Sequence, residues 1–336
     1  MTKITMTDVA RAAGVSLATV DRVLNGRGGV APGKANRILS EARRLGLDRA
    51  LRQRPSRLLR VAVLIQPPSN TFHAALAEGI ALASRLHADL NMQFHLRHVD
   101  PNQPDRIATA IREEAARRDG MIVTAPNNPR IAAALRKVSA HLPVVTLADD
   151  LATSGRHAFV GPDDRRAGRV AGEIIGRFLH PKGGRLVVIV GRRDMVGHSE
   201  REAGCRQVLA EHYSETVLTD VLESGEDPDR AGALVHHALR TDPDIRAIYH
   251  TTAGARAIVD VLRRLGRARD IIFVTHELTE HRRALLRARA IDAVIDQDPV
   301  REAELAVETM ARLLGRLEGE AVTILTNFHI YLAENA

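Results

Sequence analysis

Residues 5–26 run Thr5-Met6-Thr7-Asp8-Val9-Ala10-Arg11-Ala12-Ala13-Gly14-Val15-Ser16-Leu17-Ala18-Thr19-Val20-Asp21-Arg22-Val23-Leu24-Asn25-Gly26. Gly14 is a natural stop for a first helix, and Ser16 offers a side-chain oxygen to cap a second one from Leu17 to about Asn25. A helix, a tight turn and a second helix opening with small and polar residues form the helix-turn-helix pattern. That spacing brings Leu17, Ala18, Asp21 and Arg22 toward a DNA groove. Arg22 has the donor geometry for a guanine edge, and Leu17 and Ala18 suit thymine methyl groups. Thr5, Ser16, Thr19, Asn25 and Lys34 are better fitted to phosphates, which fix register without reading sequence. A third helix, about Pro32 to Leu45, carries Ile38, Leu39, Ala42 and Leu45 on one face and ends at Gly46.

Charge separates this bundle from the rest of the chain. Residues 1–60 hold 13 Lys or Arg against 4 Asp or Glu, whereas residues 61–336 hold 35 against 37. A basic surface confined to a small module is what phosphate contact with counterion release requires. The segment 48–59 is polar and basic, with Pro55 interrupting any helix, and reads as a linker between a DNA-binding domain at 1–47 and a body at 60–336. In the body, strand-like runs alternate with helices: Val61–Ile65, Asn91–Val99, Gly120–Thr124, Val144–Leu147 and Ala158–Gly161. The rhythm restarts with Leu186–Gly191, Thr216–Leu222, Ala247–His250, Ile271–Thr275 and Ala293–Ile295. The predicted fold class is α/β: a three-helix helix-turn-helix domain, then two lobes, each built on a parallel sheet. The first lobe is expected at about 60–161 with 296–336, the second at about 162–295. Gly168, Gly172 and Gly176, four apart on a predicted helix, signal close helix packing.

The N-terminal stretch, including its Thr19-Val20-Asp21-Arg22-Val23-Leu24-Asn25 run, resembles the signature of LacI-type transcriptional regulators, and the resemblance continues to Arg44-Leu45-Gly46. The body is more loosely similar to that family's periplasmic-sugar-binding-protein-like domain. The resemblance implies a cytoplasmic, nucleoid-associated homodimer that binds a near-palindromic double-stranded operator under control of a small carbohydrate effector. Two positions depart from the family pattern. Asp21 stands where Ser is common, with Arg22 or Lys34 as its expected intramolecular partner. The linker offers only Leu51 as a minor-groove wedge.

Ligands of open α/β sheets bind beyond the carboxyl ends of the strands. The residues there are polar: Gln66–His73, Thr124–Asn127, Asp149 and Asp150, Gly191–Arg201, Thr251–Gly254, His276-Glu277 and Gln297-Asp298. The family resemblance then makes Phe72 a candidate platform for a sugar ring and Arg201 a clamp for hydroxyls. His73, Asp149, Asp150, Thr252, Glu277 and Gln297 become hydrogen-bonding candidates, with Glu277 where ribose-type sites commonly have Asp. Aromatic content is 3% with no Trp, so a monosaccharide or polyol held by hydrogen bonds is the expected class. Arg192, Arg193 and Arg201 leave a sugar acid open.

Catalysis and metals find little support. His276 and His281 are five apart and would diverge by about 140° on one helix. No phosphate loop or nucleophile elbow is present. Cys205, the single cysteine, excludes an intrachain disulfide. No apolar run is long enough to span a bilayer, and no export signal is read at the N-terminus. The sequence therefore predicts a non-enzymatic repressor with no cofactor, a ligand-dependent activator or a regulator with a non-sugar effector being the alternatives. A solute-binding protein would suit the two lobes but not the helix-turn-helix.

Overall fold

The computed structural model describes residues 4–25, 27–47 and 57–336. Most of the expected linker, with Leu51 and Pro55, lies outside them. The N-terminal bundle comprises α1 (Met6–Ala12), α2 (Leu17–Leu24) and α3 (Pro32–Arg44). Its core is Val9, Ala10, Ala13, Val20, Leu24, Ile38 and Ala42, with partly buried apolar side chains packed around it. Gly14 adopts φ +60° in the turn, a conformation that L side chains seldom take, and this sets α2 against α1.

The first lobe contains β1 (Leu59–Ile65), α4 (Thr71–Leu86), β2 (Met92–His98), α5 (Pro104–Ala115), β3 (Gly120–Val123), α6 (Pro129–Ser139), β4 (Val144–Leu147) and β5 (Ala158–Pro162). The second contains α7 (Asp164–Leu179), β6 (Gly184–Val190), α8 (Val196–His212), β7 (Thr216–Glu223), α9 (Pro228–Thr241), β8 (Ile245–His250), α10 (Ala255–Arg264), β9 (Ile272–His276), α11 (Glu280–Arg287) and β10 (Ala293–Asp296). The chain then returns through α12 (Pro299–Leu313) and β11 (Ile324–Thr326) before ending in β12 (His329–Tyr331).

The first sheet has strand order β11-β5-β4-β3-β1-β2 and the second β12-β10-β9-β8-β6-β7. Central strands are buried on both faces, as β1, β3 and β4 show, which explains their unbroken apolar runs. One strand departs from the expected all-parallel sheets: β12 pairs antiparallel with β10. The C-terminal piece assigned by sequence to the first lobe is thus divided, α12 and β11 lying with the first sheet and β12 with the second. Three-residue strands carry too little periodicity to be read from sequence.

The glycine row on α7 brings α7 and α8 into close contact. A Cβ on Gly168 would lie 2.0 Å from the Arg201 carbonyl oxygen, one on Gly172 would meet Val208 and Cys205, and one on Gly176 would meet the Tyr213 ring. Gly204 answers from α8, its Cβ position 2.0 Å from the Arg165 carbonyl oxygen. The obstruction at Gly168 is backbone, so Gly168→Ala forces the helices apart. A loss of about 2–3 kcal/mol is expected from such overpacking, read as a lower urea midpoint. A change below about 0.5 kcal/mol would contradict close packing here. The contact matters to the cleft because it sets Asp164, at the start of α7, beside Arg201 on α8.

Candidate functional site

On the bundle, α2 turns Val20 and Leu24 inward and presents Leu17, Ala18 and Arg22 to solvent, Leu17 being 47% exposed. Lys34 is also exposed. Several residues assigned to phosphates also have local duties. Thr5 caps α1: its hydroxyl and backbone N–H both donate to the Asp8 carboxylate, and its oxygen accepts from the Asp8 N–H. Ser16 caps α2, accepting from the Thr19 N–H and sharing a 2.8 Å hydroxyl contact with Thr19. Asp21 is paired, but not with Arg22 or Lys34. Arg27 bonds it at 2.9 Å and the Asn25 amide donates to it at 2.5 Å. Arg22 is thereby left to face outward.

The second site lies between the lobes at the carboxyl ends of the strands. Phe72, His73, Asp149, Arg201, Thr252, Glu277 and Gln297 all line one cavity of about 60 Å³. Asp150 does not. Its carboxylate is clasped by Arg156, with Nη2–Oδ2 at 2.7 Å, because the turn after β4 directs successive side chains to opposite sides. Phe72 both lines the cavity and packs on the first-lobe core. The buried His73 accepts the Gln66 N–H at Nδ1, and burial pushes its pKa down to about 3, so it is a neutral wall.

Sequence reasoning missed Asp164, Glu226 and Arg282, which also line the cavity, and did not single out Asn70 and His198 within the polar segments it placed there. Arg201 is the hub. Its Nε donates to Asp164 at 2.7 Å, its Nη2 donates to Gln297 Oε1 at 2.8 Å, and its Nη1 lies 3.7 Å from Glu277. Burial opposes this charge, yet Asp164 and Glu277 hold the guanidinium protonated above its usual range. Arg282 lies 3.3 Å from Glu277 and donates to the Thr252 carbonyl at 2.6 Å. Arg192 and Arg193 stand outside the cavity, Arg192 bound to Asp194. His276, at the end of β9, is buried against the Tyr249 hydroxyl of β8, while His281 is exposed on α11, so the two do not even share a helix. Among the described residues His87, Glu304 and Glu308 bring three donor atoms within 4.8 Å, but Arg301 and Arg312 already hold the two carboxylates.

The lobes are in contact across the cleft. The Gly197 N–H at the start of α8 donates to Asp149 Oδ1 at 2.9 Å, and the Asn127 N–H donates to the Asp194 carbonyl at 2.7 Å. Arg192 also bonds Asn102. One water needs about 10–15 Å³ by the same measure, so with the lobes bonded across the cleft the cavity has room for a few waters. Three residues lining the cavity, Ala148, Glu226 and Glu277, have φ between 57° and 65°. Left-handed non-glycine backbone costs about 1–3 kcal/mol per residue and concentrates at functional sites.

A basic helix-turn-helix bundle joined to two α/β lobes around a polar cleft defines a DNA-binding regulator with a ligand-binding body. The body, residues 61–320, matches the family described as periplasmic binding protein domain, and residues 5–46 match the bacterial regulatory proteins of the lacI family. The chain belongs to the LacI-type regulators built on a periplasmic binding protein domain. It is 41% identical over 86 residues to catabolite control protein A of Priestia megaterium, covering 23% of this chain and 24% of that one. It is 24% identical over 259 residues to the maltose regulon regulatory protein MalI of Escherichia coli K12, covering 73% and 71% respectively. The crystal structure of an ABC transporter solute-binding protein from Burkholderia graminis, in complex with D-arabinose, superposes with a TM-score of 0.77. Its identity is 22%, with 84% of this chain and 98% of that one covered. No helix among the described residues is long and apolar enough to cross a membrane.

Proposed function

We propose that this protein is a cytoplasmic, nucleoid-associated homodimeric repressor that binds a near-palindromic operator through α2 and is released by a small saccharide seated between its lobes. The observation that carries this reading is the union, in one chain, of an outward-facing Arg22 helix with a cleft whose lobes are bonded across the ligand's place. A ligand that parts or re-seats the lobes changes the spacing of two headpieces and so the affinity for half-sites one helical turn apart. The body binds its ligand without chemistry on it, in keeping with the transport and regulatory proteins it is similar to.

Phe72 supplies an apolar wall, and Asn70, Thr252 and Gln297 supply neutral hydrogen-bonding groups around the cavity. A sugar acid loses support, because both lining guanidiniums are already engaged by protein acceptors. The test is selection of bound fragments from genomic DNA, followed by titration of the recovered site. Arg22→Ala is expected to weaken that site by about 1–3 kcal/mol while leaving random-sequence binding nearly unchanged. Equal weakening on both, or binding indifferent to salt, would remove base reading from α2.

A further inference from the structure

The cleft is unevenly charged. Four carboxyl groups line it, those of Asp149, Asp164, Glu226 and Glu277, against two guanidiniums, those of Arg201 and Arg282. Both cations are spent on Asp164 and Glu277. Asp149 and Glu226 have no Lys or Arg within salt-bridge distance among the described residues, and their contacts come from neutral donors. Asp149 accepts the Gly197 N–H at 2.9 Å, Glu226 accepts the Thr252 hydroxyl at 2.9 Å, and the His198 ring lies 3.8 Å from Glu226. Burial, and then Arg201, pushes the pKa of His198 down to about 4, so it brings no charge at neutral pH. Arg201 acts on both carboxyls, and Arg192 and Arg282 on Glu226, from beyond salt-bridge distance, but each is already bound, Arg192 by Asp194, Arg201 by Asp164 and Arg282 by Glu277.

A buried carboxylate without a cation is costly, and a ligand that supplies one recovers that cost on binding. An anionic ligand would add to the surplus. A neutral polyol can donate hydroxyls to both groups yet leaves their mutual repulsion in place. We propose that the effector carries a protonated amine: an amino sugar or amino polyol whose ammonium lies between Asp149 and Glu226 while its hydroxyls meet Asn70 and Gln297. This rests on the saccharide reading of the cleft and narrows it. The chemistry is fitted to an ammonium, a compact point charge with three donors, better than to a planar cation that would need a flat carboxylate fork.

The full-length protein is titrated by calorimetry at neutral pH with D-glucosamine, D-galactosamine and D-glucamine, each beside its hydroxyl parent and its N-acetyl derivative, and with D-glucuronate. At least one amine is expected to bind about tenfold or more tightly than both its parent and its N-acetyl form, a margin of about 1.4 kcal/mol. The Asp149→Asn, Glu226→Gln variant is expected to bring the three within about threefold of one another. Asp149→Asn alone, which keeps the acceptor for the Gly197 N–H, serves if the double variant does not fold. A neutral sugar that matches or exceeds its amine, or glucuronate binding best, overturns the amine and leaves the saccharide reading standing. No binding by any member of the panel to folded protein overturns both.

Discussion

Arg201→Ala is expected to lower the stability of the body by about 3–5 kcal/mol, the cost of breaking a buried ion pair from one side, and to abolish any thermal shift by ligand. The side chain is 6% exposed and that of its partner Asp164 9%. Removing it strands the Asp164 carboxylate, takes the donor from Gln297 Oε1, and withdraws one of two positive charges from Glu277. Four parts of the fold are joined through this group: α7, α8 and the segments after β9 and β10. Urea unfolding measures the first effect. Pairing Arg201→Met with Asp164→Asn supplies the control, because removing both charges while filling the volume is expected to restore most of the stability but none of the ligand response. If Arg201→Ala alone costs less than about 1 kcal/mol, water has replaced the guanidinium and the network is not what holds α7 against α8.

The sequence made the frame legible because its signals are local. The Gly14 turn, the Ser16 cap and the apolar runs of the central strands each lie within a few residues, and the structure places elements there. The short edge strands β11 and β12 were not legible, since three residues carry no usable period and their partners are far away in the chain. In the cleft, reading the residues beyond each strand found Asp149, Thr252, Glu277 and Gln297, and it would have found Glu226 had the turn after β7 been read in the same way. Arg282 could not be reached by that rule, because it arrives from inside α11 through a five-residue step from Glu277. Asp164 was hidden by its neighbour: Asp163 caps α7, which is a complete local explanation, while the role of Asp164 depends on the glycine-mediated approach of α8. Asp150 misled for the opposite reason, since adjacency to Asp149 in sequence says nothing about which side of a turn each carboxylate takes.

Asp149→Asn is expected to make the ligand-free protein more stable, and increasingly so as the pH rises from 5 to 8. Burial, and then the nearby Asp164 carboxylate, raises the Asp149 pKa from 3.8 to about 7. The folded state therefore holds a proton that the unfolded chain gives up at lower pH. Stability falls as pH rises from the unfolded pKa and the loss is complete only above the folded one. A shift of that size corresponds to up to about 4 kcal/mol, with the opposing pull of the Gly197 N–H and Arg201 already counted in it. The Asn amide cannot ionise, keeps a carbonyl for Gly197, and escapes the penalty. Thermal unfolding of both proteins from pH 4 to 8 is expected to give curves that converge near pH 4, close to the unfolded pKa, and separate by about 5–10 °C at pH 8. Parallel curves would mean that Asp149 titrates like a surface carboxylate. The direction of the effect links the empty cleft to the filled one: a carboxyl that destabilises the first is relieved by a ligand that supplies a cation. An acidic side chain that costs stability until a cation arrives makes ligand binding and lobe arrangement parts of one equilibrium, which is what a regulator requires of its effector site.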